Sequence, residues 1–166
     1  MESPDRKKKR LWIAIPIGIV VWIATNVAMG LAPSAAKGLQ ADGRVAGCPD
    51  SPNCVSTTDE RPNFAVEPID FLVAPDAALK LAREALQREG GNGIADDGAH
   101  YLRATFVTPV LRFRDDVEIA IQPSDKQIHI RSASRVGYSD LGVNRKRAER
   151  LRSAISERLA QPPPEG

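Results

Sequence analysis

The side chains of this chain best suited to chemistry lie in its last third. Asp115 and Asp116 stand together in the run from Arg112 to Ile119, and Arg131-Ser132-Ala133-Ser134-Arg135 follows soon after. Carboxylates near arginines build either a polar pocket or a structural ion-pair network. Leu111, Phe113, Val117, Ile119 and Ile121 share one strand parity, and Asp115 shares it too. Either a bulge at 114–116 re-aims the carboxylates, or Asp115 points inward and needs a partner such as Arg131 or Arg135. Ser132 and Ser134 continue the parity of Ile128 and Ile130, so a persistent strand turns their hydroxyls toward the same layer. Ser139 and Asp140 suit the start of a final helix, with Asn144 and Arg145 close behind. Helix N-termini beside arginines attract anions, although plain capping and a solvated basic face account for the same residues. The candidate ligand-binding set is Asp115, Asp116, Arg131, Ser132, Ser134, Arg135, Asp140, Asn144 and Arg145. Between Arg131 and Arg158 basic residues outnumber acidic ones by eight to three, a local excess suited to a small anion or a lipid headgroup.

Cys48 and Cys54 are the two cysteines of the chain. In an oxidising compartment such neighbours pair, and closing so short a loop contributes about 2 kcal/mol. A metal site finds no second Cys or His pair at ligand spacing, because His100 and His129 stand apart, and the spacing is not that of a CxxC redox pair. No metal or other cofactor is expected. No Ser/His/Asp order, glycine-rich phosphate loop or paired-carboxylate spacing stands out, so any catalytic residue stays open, and so does whether the chain is an enzyme at all.

The elements that must position these residues read as follows. Residues 66–73 alternate as an edge or irregular strand, weakened by Pro68. Pro75 and Asp76 open a helix with Ala78, Ala82, Ala85 and Leu86 on one face, and Gly90 stops it. Strands follow at 101–106, 111–121 and 127–131, the last two joined as a hairpin by the turn from Gln122 to Lys126. A last helix covers about 142–159, with Ala148, Leu151, Ile155 and Leu159 inward. The order β-α-β-β-β-α and its short connections predict an α+β two-layer sandwich. It has an antiparallel sheet of about four strands with two helices on one face, preceded by one transmembrane helix.

That leading helix is the run Leu11 to Ala32, which holds no charged residue. It spans about 33 Å, enough for a bilayer's hydrocarbon core, and tolerates Pro16 and Gly18 there. Trp12 lies at its near boundary. Arg6, Lys7, Lys8, Lys9 and Arg10 precede it, whereas Lys37 and Arg44 are the basic residues that follow closely. The positive-inside rule then keeps 1–10 as a basic cytoplasmic tail. It places the remainder outside, as a single-pass protein of the inner (plasma) membrane with a periplasmic domain. Two processed forms are alternatives. Small residues at Ala28-Met29-Gly30 suit signal peptidase, and Val45-Ala46-Gly47-Cys48 resembles the lipobox of bacterial lipoproteins, though it stands well downstream of the apolar run. Residues 33–47, rich in Ala, Gly and Pro, read as a flexible linker, 48–160 as the globular domain and 161–166 as a disordered tail. Of 23 Lys and Arg and 21 Asp and Glu, five basic and two acidic residues fall in the first ten. The rest is nearly neutral, which argues against a general nucleic-acid binder.

Three stretches together resemble the domain-of-unknown-function family 1499 of bacteria and plant plastids: CPDSPNCVST (48–57), RFRDDVEI (112–119) and RSASRVGYSDLGVNRKRAERLR (131–152). The family's hallmarks fall on Cys48, Pro49, Ser51, Pro52, Asn53 and Cys54, on Asp115 and Asp116, and on the Arg131 to Arg145 motif. Thr57 stands where a serine is usual. The resemblance covers about 47–159 and implies no assigned activity. It leaves three expectations: a tethered module binding a protein, lipid or small anion through Arg131–Arg145; an enzyme of unknown class with an Asp/Arg pocket; or a structural subunit of a membrane assembly.

Overall fold

The computed structural model describes residues 17–18, 20–25, 27–28, 31–98, 100–109 and 112–161. The basic tail 1–10, much of the expected span 11–32, Leu111 and most of the tail 161–166 lie outside them. Among the described residues, positions 17–18, 20–25, 27–28 and 31 are helical, and no helix is long and apolar enough to cross a membrane.

From Cys54 on, the chain forms β1 (Cys54–Ser56), β2 (Ile69–Asp70), α1 (Pro75–Arg88), β3 (Asn92–Asp96), β4 (Tyr101–Val107), β5 (Arg114–Gln122), β6 (Gln127–Ser134) and α2 (Val143–Leu159). The result is an α+β domain with a six-stranded antiparallel sheet against helices, in the order β1-β6-β5-β4-β3, with β2 also on β6. The expectation of about four strands was short by two. β1 has three residues, too few to show alternation. β3 begins Asn92-Gly93, a turn-forming pair, and joins β4 with a register shift. The outer lane along β6 is broken in two. Cys54–Ser56 face Ala133–Arg131, and Ile69–Asp70 face Ile128–Gln127, with Pro62 and Pro68 unable to donate between them.

α1 forms where Pro75 and Asp76 predict it, and it ends before Gly90, whose φ of +87° a side chain would oppose. Its Ala78, Ala82, Ala85 and Leu86 join Ala148, Leu151 and Ile155 of α2. Together they cover Leu102, Phe106, Val117, Ile119, Ile128 and Ile130 on one face of the sheet. Each such aliphatic burial stabilises by about 1.5–3 kcal/mol.

The opposite face is covered as well, and by an unexpected element. β5 is buried from Asp115 to Ile121 on both parities, unlike a strand with one solvated face. Residues 34–47, expected as a flexible linker, run along this second face as a strap. Leu39 and Val45 pack there on Tyr101 and Ala120. The strap's backbone also reaches two carboxylates of β5, which is why it is ordered despite a linker-like composition.

Candidate functional site

The register of β4, β5 and β6 is continuous through Asp115 and Asp116, so no bulge re-aims them. The pleat sends them to opposite faces. Asp115 points inward, and its partner is Arg147 of α2, not Arg131 or Arg135: Arg147 Nη2 donates to Asp115 Oδ2 at 2.7 Å. Arg147 Nη1 also donates to Asn144 Oδ1 at 2.7 Å and to Ser132 Oγ at 3.1 Å. Its guanidinium stands 4.7 Å over the Phe106 ring. Ser132 Oγ donates to Asn144 Oδ1 at 2.6 Å, while Asn144 Nδ2 donates to the Asn53 carbonyl and Ser134 Oγ, both at 2.9 Å. Ser132 and Ser134 therefore do face the helical layer. Asn53 extends the network by donating to the Gly137 carbonyl at 2.6 Å.

On the outer face Asp116 accepts a two-pronged contact from Arg135, Nε at 2.9 Å and Nη2 at 2.8 Å. It also accepts from Thr105 Oγ1, Ser34 Oγ and the Ala35 amide. Burial pushes the Asp116 carboxyl up, but the hydrogen bonds from Arg135, Ser34 and Ala35 outweigh it and hold the group below its ordinary range. Glu118 Oε2 takes Arg131 Nη1 at 2.7 Å, and Oε1 takes the Tyr101 hydroxyl at 2.7 Å and the amides of Lys37 and Gly38. Burial, and then that bond to Glu118, raise the Tyr101 phenol above its usual range. Arg131, only 1% exposed, also donates to the carbonyls of Ala35 and Gly47. Asp140 and Arg145 belong to neither network. Asp140 accepts from the amides of Gly142 and Asn144 and so caps α2, and Arg145 donates to the carbonyls of Pro62, Asn63 and Ala65.

The nine candidates thus form no single site. Asp115, Ser132, Ser134 and Asn144 gather under α2; Asp116, Arg131 and Arg135 gather under the strap; Asp140 and Arg145 hold loops. Cys48 and Cys54 are joined as a disulfide, which ties the strap's end to β1. Arg61 clasps the same junction, donating to the Cys48 carbonyl and to Asp59. Its guanidinium holds the Asp59 carboxyl far below the usual carboxylate range.

Three concavities adjoin these networks, the smallest a recess of about 70 Å³ at Asp116 and Arg135 that Ser34, Ala36 and Thr105 also line. A cavity of about 270 Å³ opens between the β4–β5 turn and the loop from β6 to α2, where Phe113, Val136, Leu141 and Val143 supply apolar side chains and Thr108, Asp115, Ser134, Ser139 and Asp140 also line it. A wider polar groove of about 460 Å³ lies between the strap and the β1–β2 region, lined by Arg44, Thr57, Asp59, Glu60 and His129 among others. His129 lies in β6 and is buried, with Nδ1 3.1 Å from Thr57 Oγ1. Among the described residues no cluster of three or more His, Cys, Asp or Glu side chains is placed to hold a metal ion.

A family model described as "Protein of unknown function (DUF1499)" matches residues 44–155, more than half of the chain. The chain belongs to the DUF1499 family. No curated protein and no solved structure matches it. The match takes in both networks, the disulfide and the cavity, but stops short of residues 34–38. Two buried carboxylates of the DUF1499 domain are therefore completed by backbone outside the matched stretch.

Sequence reasoning missed Glu118, Arg147 and Thr105, and it marked Asn53 only as a hallmark of the resemblance. For Glu118 a signal existed: Ala120 shares its parity and Tyr101 stands opposite Ala120, an apolar pair that a solvated face does not need. Arg147 lies one turn from Asn144 and one from Leu151, within the buried stripe of α2. In the DUF1499 domain that stripe is polar at its N-terminal end and apolar beyond.

Proposed function

We propose that this chain is a membrane-tethered, extracytoplasmic binding module whose cavity between the β4–β5 turn and the β6–α2 loop receives an apolar group. One observation carries the reading. The surface the cavity exposes is largely apolar, although polar residues also line it, and its rim presents Leu141, 90% exposed with a left-handed φ of 54°. Backbone strain at an exposed leucine is not a requirement of packing, and such outliers concentrate at binding sites. The polar motif behind the rim acts as scaffold, because its charges are spent on one another. Asn144 and Arg147 are buried and bonded to each other, Arg131 is buried against Glu118 and Asp116 against Arg135, so their polar atoms are already engaged.

Tethering rests on the uncharged run 11–32 behind five basic residues, and the Cys48–Cys54 disulfide suits an oxidising compartment. The enzyme reading narrows to Asp115, Ser134 and Asp140 at the cavity, but Arg147, Asn144 and the amides of Gly142 and Asn144 already engage them. Native mass spectrometry of the full chain, extracted from membranes in mild detergent, tests the binding function. Wild type should carry an apolar adduct that Val143→Trp, which narrows the cavity at a half-exposed position, loses at least several-fold. Bare wild-type protein would overturn the binding reading.

A further inference from the structure

We infer that the domain stands on the bilayer through the loop between β6 and α2, with Tyr138 and Leu141 seated in the lipid interface and the cavity open to acyl chains. This rests on the tethered reading and names the ligand class of the same cavity. The geometry comes from the strap. Arg135 Nη1 donates to the Ala32 carbonyl at 3.5 Å, and the Ala35 amide donates to Asp116 at 2.6 Å. Three residues reach at most about 11 Å, so the end of the apolar run is pinned close to one end of the sheet. A slack linker would leave the domain free to face any direction; this one does not.

That end of the sheet is fixed by register. Phe106 pairs with Asp115, and Asp115 with Ser134, so the turn after β4 and the loop after β6 emerge together beside the anchored strap. The same end carries large exposed apolar side chains: Tyr138 at 77% and Leu141 at 90%. Exposed Arg112 in the β4–β5 turn and exposed Lys146 in the first turn of α2 add positive charge there, while Asp140 of the same loop is engaged by the amides of Gly142 and Asn144. Tyrosine and leucine among basic residues match an anionic membrane interface. The opposite end, around the β5–β6 turn, also exposes Leu72 and Val73 beside Ser124, Asp125 and Lys126, but it lies at the far end of β6 from Arg135, where the apolar run joins the domain.

Only two tyrosines occur in the chain, and Tyr101 is buried, so it serves as an internal control. The full chain, labelled with 3-fluorotyrosine, is placed in nanodiscs containing phosphatidylglycerol and observed by ¹⁹F NMR. Doxyl-labelled lipid should remove at least half of the Tyr138 signal and spare Tyr101, while an aqueous gadolinium chelate should do little to either. Leu141→Glu, at an exposed position, should move Tyr138 toward the aqueous agent. A Tyr138 signal broadened by the chelate alone overturns the inference, and so does protection from both agents, as a second copy or a protein partner would give. Flotation of the same sample separates the two levels. A chain that leaves the lipid after a high-salt wash defeats the tethered reading itself; one that floats with Tyr138 in water defeats only the orientation.

Discussion

The two faces of the β5–β6 pair carry nearly the same chemistry under different covers. On the outer face Arg131–Glu118 and Arg135–Asp116 are closed by the strap's backbone: amides of Ala35, Lys37 and Gly38 and carbonyls of Ala32, Ala35 and Gly47. On the inner face Arg147–Asp115 is closed by side chains of α2, and one flank opens into the cavity. The recess at Asp116 and Arg135, about 70 Å³, has room for little more than water. At Arg131–Glu118 the network is sealed, with no room for a ligand and no water to relieve a broken pair. A network with an open flank has both. The difference teaches that residue type does not mark a site here; the cover does.

The largest expected effect breaks the sealed side. Arg131→Ala strands Glu118, whose side chain is fully buried, and should cost about 3–5 kcal/mol in denaturant unfolding. Arg147→Ala leaves Asp115 at the cavity, where water can enter, and should cost less, about 1–3 kcal/mol. Equal losses would show that the two covers are energetically alike. A double replacement, Arg131→Met with Glu118→Leu, should recover most of the loss, since a buried pair exchanged for apolar volume is often neutral.

Next in size is the strap itself. Replacing both Cys48 and Cys54 by serine should lower stability by about 2 kcal/mol, the loop-closure contribution of so short a ring. Hydrogen exchange sharpens the comparison, because the amides of Ala35, Lys37 and Gly38 should lose protection while Asn144, under α2, keeps it. Uniform loss of protection would mean that strap and helix open as one unit.

The sequence reports the sheet's interior better than its covers. Pro75, Gly90 and the alanine stripe announce α1, and shared parity places Asp115, Ser132 and Ser134 on the helical side. Arg147 escapes because arginine on a strongly basic helix reads as solvated, and only packing shows that it faces inward. The strap escapes for a deeper reason. Its work is done by backbone amides, which every residue but proline owns, so Ser34 to Gly38 carry no compositional mark. β3 escapes because Asn92-Gly93 is turn chemistry that pairing with β4 overrides. The exposure of Tyr138 and Leu141 depends on where the loop ends up, which local pattern does not encode.

The smallest expected effects are those of pH, and they too divide by cover. The Asp116 carboxyl is held below its ordinary value of 3.8, so the stability it supplies is complete above that pH and is lost as pH falls through the folded value. Asp116→Asn should flatten this acid limb of the unfolding profile. His129 is lowered from 6.5 by burial first and by Arg44 next, with Asp125 and Asp42 opposing. The folded chain then keeps the imidazole neutral where the unfolded chain binds a proton. Stability should be level above about pH 7 and decline as pH drops through 6.5 toward the folded value, with the unfolding midpoint as the measure. Among the described residues His129 Nε2 has no hydrogen-bond partner, so the imidazolium, protonated on both ring nitrogens, would hold an unsatisfied buried N–H there. His129→Gln, which keeps a polar contact for Thr57 but does not titrate, should remove the decline between pH 7 and pH 5 and leave the Asp116 limb unchanged. If the decline persists in His129→Gln, the groove beside the strap is open enough to solvate the charge. It would then stand with the cavity flank and not with the sealed face.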